Sequence, residues 1–187
     1  MQDEKLRERL DARTSIYNGH VINLEKWDVT LPNGKPAMRE VAIHKGASAI
    51  VPVDDEGYVY LVRQFRTPLQ RVLTEVPAGK LDSAGEDHLV AAKRELHEET
   101  GFTAKKWTHL VDLATTPGFC TETISLYLAE GLTRGETDFD DDEFLDLVRM
   151  PLNEAVRTAL TGGFEDAKTI AALLLAAHAR KGEGAPC

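Results

Sequence analysis

Apolar and polar residues alternate through residues 14–31, TSIYNGHVINLEKWDVTL, and the run ends at Pro32, Asn33 and Gly34, a turn signal between two stretches that can each be extended. A hairpin is the expected result. REVAIH (39–44), ASAIVPV (47–53) and YVYLVRQF (58–65) follow, rich in β-branched and aromatic residues and separated by KG and DDEG, which predicts a sheet-rich first half. From Asp87 to Thr100 the period lengthens: Leu89, Val90, Ala92, Lys93 and Leu96 suit a helix with one apolar face, and Gly101 stands where a C-terminal cap belongs. The loop PAGKLDSAGE leads into that helix. KWTHLVDLAT, TISLYLAEGL and EFLDLVRM read as strands, while Leu152–Leu160 and Asp166–Arg180 read as helices from their Ala and Leu content. No repeat or low-complexity tract interrupts this order. Strands and helices mix without regular βαβ alternation, which predicts a sheet-centred α+β or α/β/α sandwich rather than a doubly wound parallel sheet.

Composition narrows the class. A chain of 187 residues that is 42% hydrophobic and 28% charged suits one globular domain with a small N-terminal extension. With 31 acidic against 22 basic residues, no partner held by clustered Lys and Arg, nucleic acid or anionic membrane, is expected. The two cysteines, Cys120 and Cys187, build neither a disulfide framework nor a Cys-based zinc site, so a reducing cytoplasm is the expected location. The N-terminus MQDEKLRERL is charged, and no run approaches the roughly 20 apolar residues that span a bilayer.

Three glutamates crowd the central helix in RELHEETGF, Arg94 to Phe102. Glu95 and Glu99 are four apart and project side by side, with Glu98 on an adjacent flank. Like charges at that spacing destabilise a helix unless a cation lies between them. Arg94 reaches Glu98 at the i, i+4 spacing and leaves the other two for a different partner. Carboxylate oxygens suit Mg²⁺ or Mn²⁺, and Mg²⁺ is usually held by one or two carboxylates together with substrate phosphates and water. An acidic helix stripe on its own is more often a solvated face, so the context must decide.

That context resembles the Nudix box. Gly79, Glu86, Arg94, Glu95, Leu96, Glu98, Glu99, Gly101 and Phe102 follow its order, with one departure: six residues rather than five separate Gly79 from Glu86, as though SAGE carried a single-residue insertion. The helical half stays in register, so the insertion is expected to lengthen the loop without moving the metal ligands. LPNGKPAMREVAIHKGA, VRQFRTPL, EVPAGKL, TTPGF, DDDEFLDL and DAKTIAALL extend the likeness to the ADP-ribose pyrophosphatase branch of the Nudix hydrolases, and Pro117 falls fifteen residues after the box closes at Phe102. The resemblance implies a Nudix-type α/β/α sandwich around a mixed sheet, preceded by a small antiparallel N-terminal sheet.

Hydrolysis of a pyrophosphate calls for neutralised phosphate oxygens, a positioned water and a stabilised leaving phosphate. Clustered divalent cations about 3.5–4 Å apart supply all three. By resemblance, Glu95, Glu99 and the carbonyl of Ala78 are the metal ligands, and Glu98 is either an auxiliary ligand or the orienting partner of Arg94. The base is expected in DFDDDEF: Asp141 takes the base position and Glu143 a position that binds metal when substrate is present. The family usually has glutamate at the base position, and aspartate is a methylene shorter, so either the loop sits closer or Glu143 is the working base.

For the substrate, the resemblance places Arg66 at the diphosphate, Arg39 and Glu40 near the adenosine part and partly across a dimer interface, and Pro117, Gly118 and Glu122 at the ribose phosphate end, with Lys80 a further substrate contact. The alternative reading of Arg63 and Arg66 is as ordinary strand-surface arginines, which suits Arg63 better than Arg66. An aromatic side chain near position 20 or 21 often stacks on adenine in relatives, but here His20 and Val21 stand there and Trp27 is the candidate replacement. Cys120 is expected to be a small buried residue. The implied activity is Mg²⁺-dependent hydrolysis of ADP-ribose to AMP and ribose 5-phosphate. Another nucleotide sugar, a dinucleotide, or a sensor that binds ADP-ribose without turnover are the alternatives. A homodimer is implied, with residues 1–45 supplying dimer and substrate contacts and 46–187 forming the hydrolase domain.

Overall fold

The first three strands, β1 (Arg9–Asn18), β2 (Asn23–Thr30) and β3 (Pro36–Ile43), form an antiparallel sheet in that order. The structure, a computed structural model, describes residues 3–135 and 144–182. The stretch expected as one arm of a hairpin is two strands. A turn closed by the Gly19 N–H on the Ile22 carbonyl (3.0 Å) divides it, and a side chain at Gly19 would meet that carbonyl at 2.8 Å. β1 also starts earlier than the alternation suggests, inside a charged segment that is exposed along its length. Two register shifts bend it, between Leu10 and Ala12 and between Ser15 and Tyr17. The predicted turn at Pro32–Gly34 is present, with Gly34 at φ 81°. Residues 114–122 join this unit, Cys120 bridging in parallel to Ala42.

The other compact unit is Ala47–Leu113 with Thr123–Cys187. Its seven strands are β4 (Ala47–Val53), β5 (Tyr58–Arg66), β6 (Arg71–Glu75), β7 (Ala78–Lys80), β8 (Phe102–Ala114), β9 (Thr123–Arg134) and β10 (Leu145–Pro151). The sheet runs β10-β5-β4-β9-β8, with β6 on β5 and β7 on β4. β4 and β9 are parallel while β10, β6 and β7 pair antiparallel, so the sheet is mixed. Neither β6 nor β7 is visible as a strand in the pattern. β7 is three residues long inside the expected loop PAGKLDSAGE, too short for an alternation to register.

Three helices cover the sheet: α1 (His88–Thr100), α2 (Leu152–Leu160) and α3 (Ala167–Gly182). Ile50, Tyr127 and Ala129 pack with Ala92 and Leu96 of α1, whereas Val51, Val53, Leu126 and Leu128 pack with Ala155, Leu173 and Ala176 of α2 and α3. Because both faces are covered, all seven residues of β4 are buried, which explains why ASAIVPV carries no polar alternation. The fold is the expected α+β sandwich around a mixed sheet, with a small antiparallel N-terminal sheet. No helix among the described residues is long and apolar enough to cross a membrane.

Candidate active site

α1 is held at both ends by its own sequence. Asp87 caps its start by accepting the N–H groups of Leu89 (2.9 Å) and Val90 (3.0 Å), and Gly101, at φ 72°, closes it through the His97 carbonyl (2.7 Å). Ser48 Oγ on β4 donates to the His88 carbonyl (2.8 Å), tying the first turn to the sheet. The buried face then carries Ala91, Ala92 and Leu96, but also Glu95 and Glu99, which are 7% and 3% exposed. Two carboxylates buried on one helix turn are costly unless they are compensated. They are not members of a solvated stripe.

Their compensation comes from β7 and from Arg94. The Ala78 N–H donates to Glu99 Oε2 at 3.0 Å. Gly79 leaves room for Glu95, whose carboxylate lies where a side chain would start: a Cβ there would fall 1.9 Å from its carboxyl carbon. Arg94 Nη1 donates to Glu95 Oε1 (2.7 Å) and Glu98 Oε2 (3.0 Å), while Nη2 donates to the Lys80 carbonyl (3.1 Å). The expectation that Arg94 serves Glu98 alone is therefore corrected, since it bridges both. Burial alone would lower the pKa of Arg94, but the charge and hydrogen bond of Glu95, with Asp82 and Glu98 behind it, carry it above its ordinary value. In the loop that carries the extra residue, Gly85 turns at φ 99°, and the Asp82 N–H donates to Glu86 Oε2 at 2.6 Å.

Among the described residues no three His, Cys, Asp or Glu side chains converge as a ready-made cation cage. The donor set fits Mg²⁺ in the sparser way, as two carboxylates whose remaining partners are phosphate oxygens and water. The geometry of Glu95 fits as well. Its carboxylate is pressed against a glycine whose missing side chain it replaces, so its position is defined by packing as much as by Arg94.

Arg66 is placed differently from a simple diphosphate ligand. Its Nε and Nη2 fork the carboxylate of Glu75 at 2.7 and 2.8 Å, and its pKa is raised first by that hydrogen bond, against burial, and then by the charges of Glu75 and Glu99. The last effect links RQFR to the box. Arg63 is the strand-surface arginine of the alternative reading, exposed and 3.6 Å from Asp146. Lys80 is exposed, and its carbonyl is the group that receives Arg94.

In the N-terminal unit, Arg39, Glu40 and Gly118 line one hollow of about 490 Å³ with Leu24, Met38, Ala42 and Phe119. Arg39 is paired with Glu8. Pro117 and Gly118 form the turn closed by the Phe119 N–H on the Thr116 carbonyl (3.1 Å). Glu122 accepts Thr115 Oγ1 (2.7 Å) and lies 3.5 Å from His44 Nδ1, apart from the residues lining that hollow. Trp27 has Arg13 over its ring at 4.5 Å and gives its Nε1–H to Glu25 (2.6 Å). Cys120 is half-buried rather than buried. Asp141 and Glu143 lie outside the described residues.

Ala78, Lys80, Arg94, Glu95, Glu98 and Glu99 are thus brought together by one strand and one helix, and the charge of Glu99 is felt at Arg66. Glu75 and its partners on α3 were missed by sequence reasoning. Glu75 shows only as the first letter of EVPAGKL, and nothing in the local pattern marks it as buried.

A short strand and a capped helix holding buried glutamates in this order define a Nudix domain, and the chain belongs to the NUDIX family, whose model matches residues 42–173. It is a Nudix hydrolase. Among individual proteins, the chain is 42% identical over 172 residues to the ADP-ribose pyrophosphatase of Bacillus subtilis (strain 168), covering 91% of this chain and 92% of that one. It is 41% identical over 172 residues to the methanol dehydrogenase activator of Bacillus methanolicus, covering 90% and 92%. A crystal structure of an ADP compounds hydrolase superposes with a TM-score of 0.83 at 26% identity, over 96% of this chain and 97% of the other. Members of the family generally use divalent metals such as Mg²⁺.

Proposed function

We propose that this chain hydrolyses the pyrophosphate bond of ADP-ribose in a Mg²⁺-dependent reaction, giving AMP and ribose 5-phosphate. The observation that carries this reading is the buried pair Glu95 and Glu99, held over Gly79 and Ala78 with Arg94 beside them. The similarity to the Bacillus subtilis ADP-ribose pyrophosphatase supports the substrate.

The reaction breaks one P–O bond of the anhydride bridge, forms one to the oxygen of water, and sends one water proton to a base. Glu95, Glu99 and the Ala78 carbonyl would hold the cation, with Glu143 joining when substrate is present. When bound, Mg²⁺ supplies positive charge against the phosphate oxygens and Lewis acidity toward the water. Arg94 keeps Glu95 and Glu98 at a fixed separation, so that no carboxylate has to reorganise as charge develops. Asp141 or Glu143 accepts the proton. Arg66 places its guanidinium at the diphosphate, and Arg39 and Glu40, which share one hollow with Gly118, take the adenosine side. Lys80, Pro117 and Glu122 complete the substrate contacts.

The protein works as a cytoplasmic homodimer, with residues 1–45 providing the dimer contact and 46–187 the hydrolase domain. β1 supports this, being an edge strand that exposes Leu10, Ile16 and Tyr17. Sedimentation of the native protein at a monomer mass would refute the dimer.

Product release from ADP-ribose, other nucleotide sugars and NADH, with Mg²⁺ and with chelator, tests the activity. Metal-dependent cleavage confined to ADP-ribose is the expected result. Preferred cleavage of another compound would move the substrate while leaving the chemistry. Tight ADP-ribose binding without cleavage would replace the enzyme by a sensor.

A further inference from the structure

Behind the box lies a second cluster of charge, buried at one end and open at the other. Glu75, the last residue of β6, is 1% exposed. Arg66 forks one side of its carboxylate, and Lys168, in the first turn of α3, donates to Oε2 from the other. Lys168 Nζ also donates to Asp166 Oδ2 at 3.0 Å, and that oxygen accepts the N–H (2.9 Å) and Oγ1 (2.5 Å) of Thr169, as a helix-capping carboxylate does. Thr169 Oγ1 in turn accepts the Val76 N–H at 2.9 Å. Two cations and two anions cancel, and the cluster joins the end of β6 to the start of α3.

Exposure is graded along the cluster. The Glu75 side chain is 2% exposed, that of Lys168 12% and that of Arg66 38%, so the only member that opens widely to solvent is Arg66. Arg66 is also the member that feels the charge of Glu99. A buried ion cluster of this kind gives little net stability compared with apolar packing of the same volume. It does fix the plane of a guanidinium. With Nε and Nη2 committed to Glu75, the fork leaves Nη1 on the outer edge.

We propose that Lys168 is a positioning residue for the diphosphate of the substrate: by holding the Glu75 oxygen shared with Arg66, it sets the guanidinium plane so that Nη1 meets a phosphate oxygen. This rests on the function proposed above. It adds the N-terminus of α3, far in sequence from the box, to the substrate-binding apparatus, with Asp166 as the anchor that fixes Lys168 in turn.

The test compares Lys168→Met, Lys168→Arg, Arg66→Met, the double variant of Lys168→Met with Arg66→Met, and Leu173→Ala. The last removes a fully buried core side chain from the same helix and none of the hydrogen-bonding groups of the cluster. Loss of an outer partner should raise KM in Lys168→Met by about tenfold to a hundredfold with a smaller change in kcat. Lys168→Arg should recover most of that. The double variant should be no worse than Arg66→Met, because both act through one guanidinium. Leu173→Ala should lower the melting temperature and leave KM unchanged. Independently of turnover, the Arg66 Nε–H should give a protected NMR resonance, assigned by its absence in Arg66→Lys, that moves or exchanges faster in Lys168→Met. A KM for Lys168→Met no higher than that of Leu173→Ala, multiplicative effects in the double variant, or an unmoved Nε–H resonance would each overturn the proposal. Should the wild-type protein cleave nothing in the substrate panel, the proposed function fails, and the resonance alone decides whether Lys168 holds the fork.

Discussion

Replacing Gly79 by alanine should disable the site while leaving the fold in place. A Cβ at position 79 would lie 1.9 Å from the carboxyl carbon of Glu95 and 2.0 and 2.2 Å from its two oxygens. Ordinary contact begins near 3.4 Å, so the carboxylate must retreat by about 1.5 Å. The obstacle is the far end of a flexible side chain, and the relief is cheap: one rotamer adjustment, with strain on the order of 1 kcal/mol. Gly79 is not among the glycines with positive φ, so alanine meets no left-handed backbone there and even gains a few tenths of a kcal/mol through the unfolded state. Function does not share that tolerance. Displacing a reacting group by about 1 Å costs on the order of a hundredfold in rate, or about 3 kcal/mol of transition-state stabilisation. Gly79→Ala should thus lower kcat/KM for ADP-ribose by at least that factor while its melting temperature stays within a few degrees of wild type. Steady-state kinetics with saturating Mg²⁺, paired with a thermal melt of the same preparation, would measure both. Wild-type turnover would show that the Glu95 position is immaterial, and an unfolded variant would show that the clash is not relieved by the side chain.

Glu99→Gln keeps an oxygen to accept the Ala78 N–H but removes the negative charge, so turnover should fall at least about a hundredfold with an unchanged circular dichroism spectrum. Turnover near wild type would remove Glu99 from the metal site. Arg94→Lys retains the charge but has one nitrogen where Arg94 uses two, Nη1 on Glu95 and Glu98 and Nη2 on the Lys80 carbonyl, and should lose about tenfold to a hundredfold in kcat/KM, measured at saturating metal. Glu75 provides a pH test: burial pushes its carboxyl up, but the Arg66 fork and Lys168 outweigh it and hold the group at about 2, against an ordinary 4.5. The folded value lies below the unfolded one, so this contribution is complete above pH 4.5 and is lost as the pH falls toward 2. That gap corresponds to about 3 kcal/mol. Urea midpoints should therefore fall steeply for the wild type between pH 5 and pH 2 and more shallowly for Glu75→Gln, and parallel curves would refute the assignment.

What the chain reveals by itself depends on how far each contact reaches along it. α1 is legible because its signals are local: an Asp cap, a period near 3.6, three glutamates on neighbouring faces and a glycine to end on. Glu75 is not legible because its partners stand nine and 93 residues away, and no periodicity in EVPAGKL encodes a fork from Arg66 or a lysine from another helix. β7 falls between these cases. Its residues read as loop in the sequence, yet the same glycine that weakens the strand signal is what the site needs. Residues adjacent on a helix do not face each other, so helical spacing pairs Arg94 with Glu98 alone. The structure brings Arg94 to Glu95 as well because both converge on β7, Glu95 settling into the space over Gly79 and Arg94 donating to the Lys80 carbonyl one residue further on. The ordering of the box follows from this. The glycine and the first glutamate of the helix form a single steric unit across 16 residues of sequence, so the loop between them can take an extra residue while neither end of the unit can change.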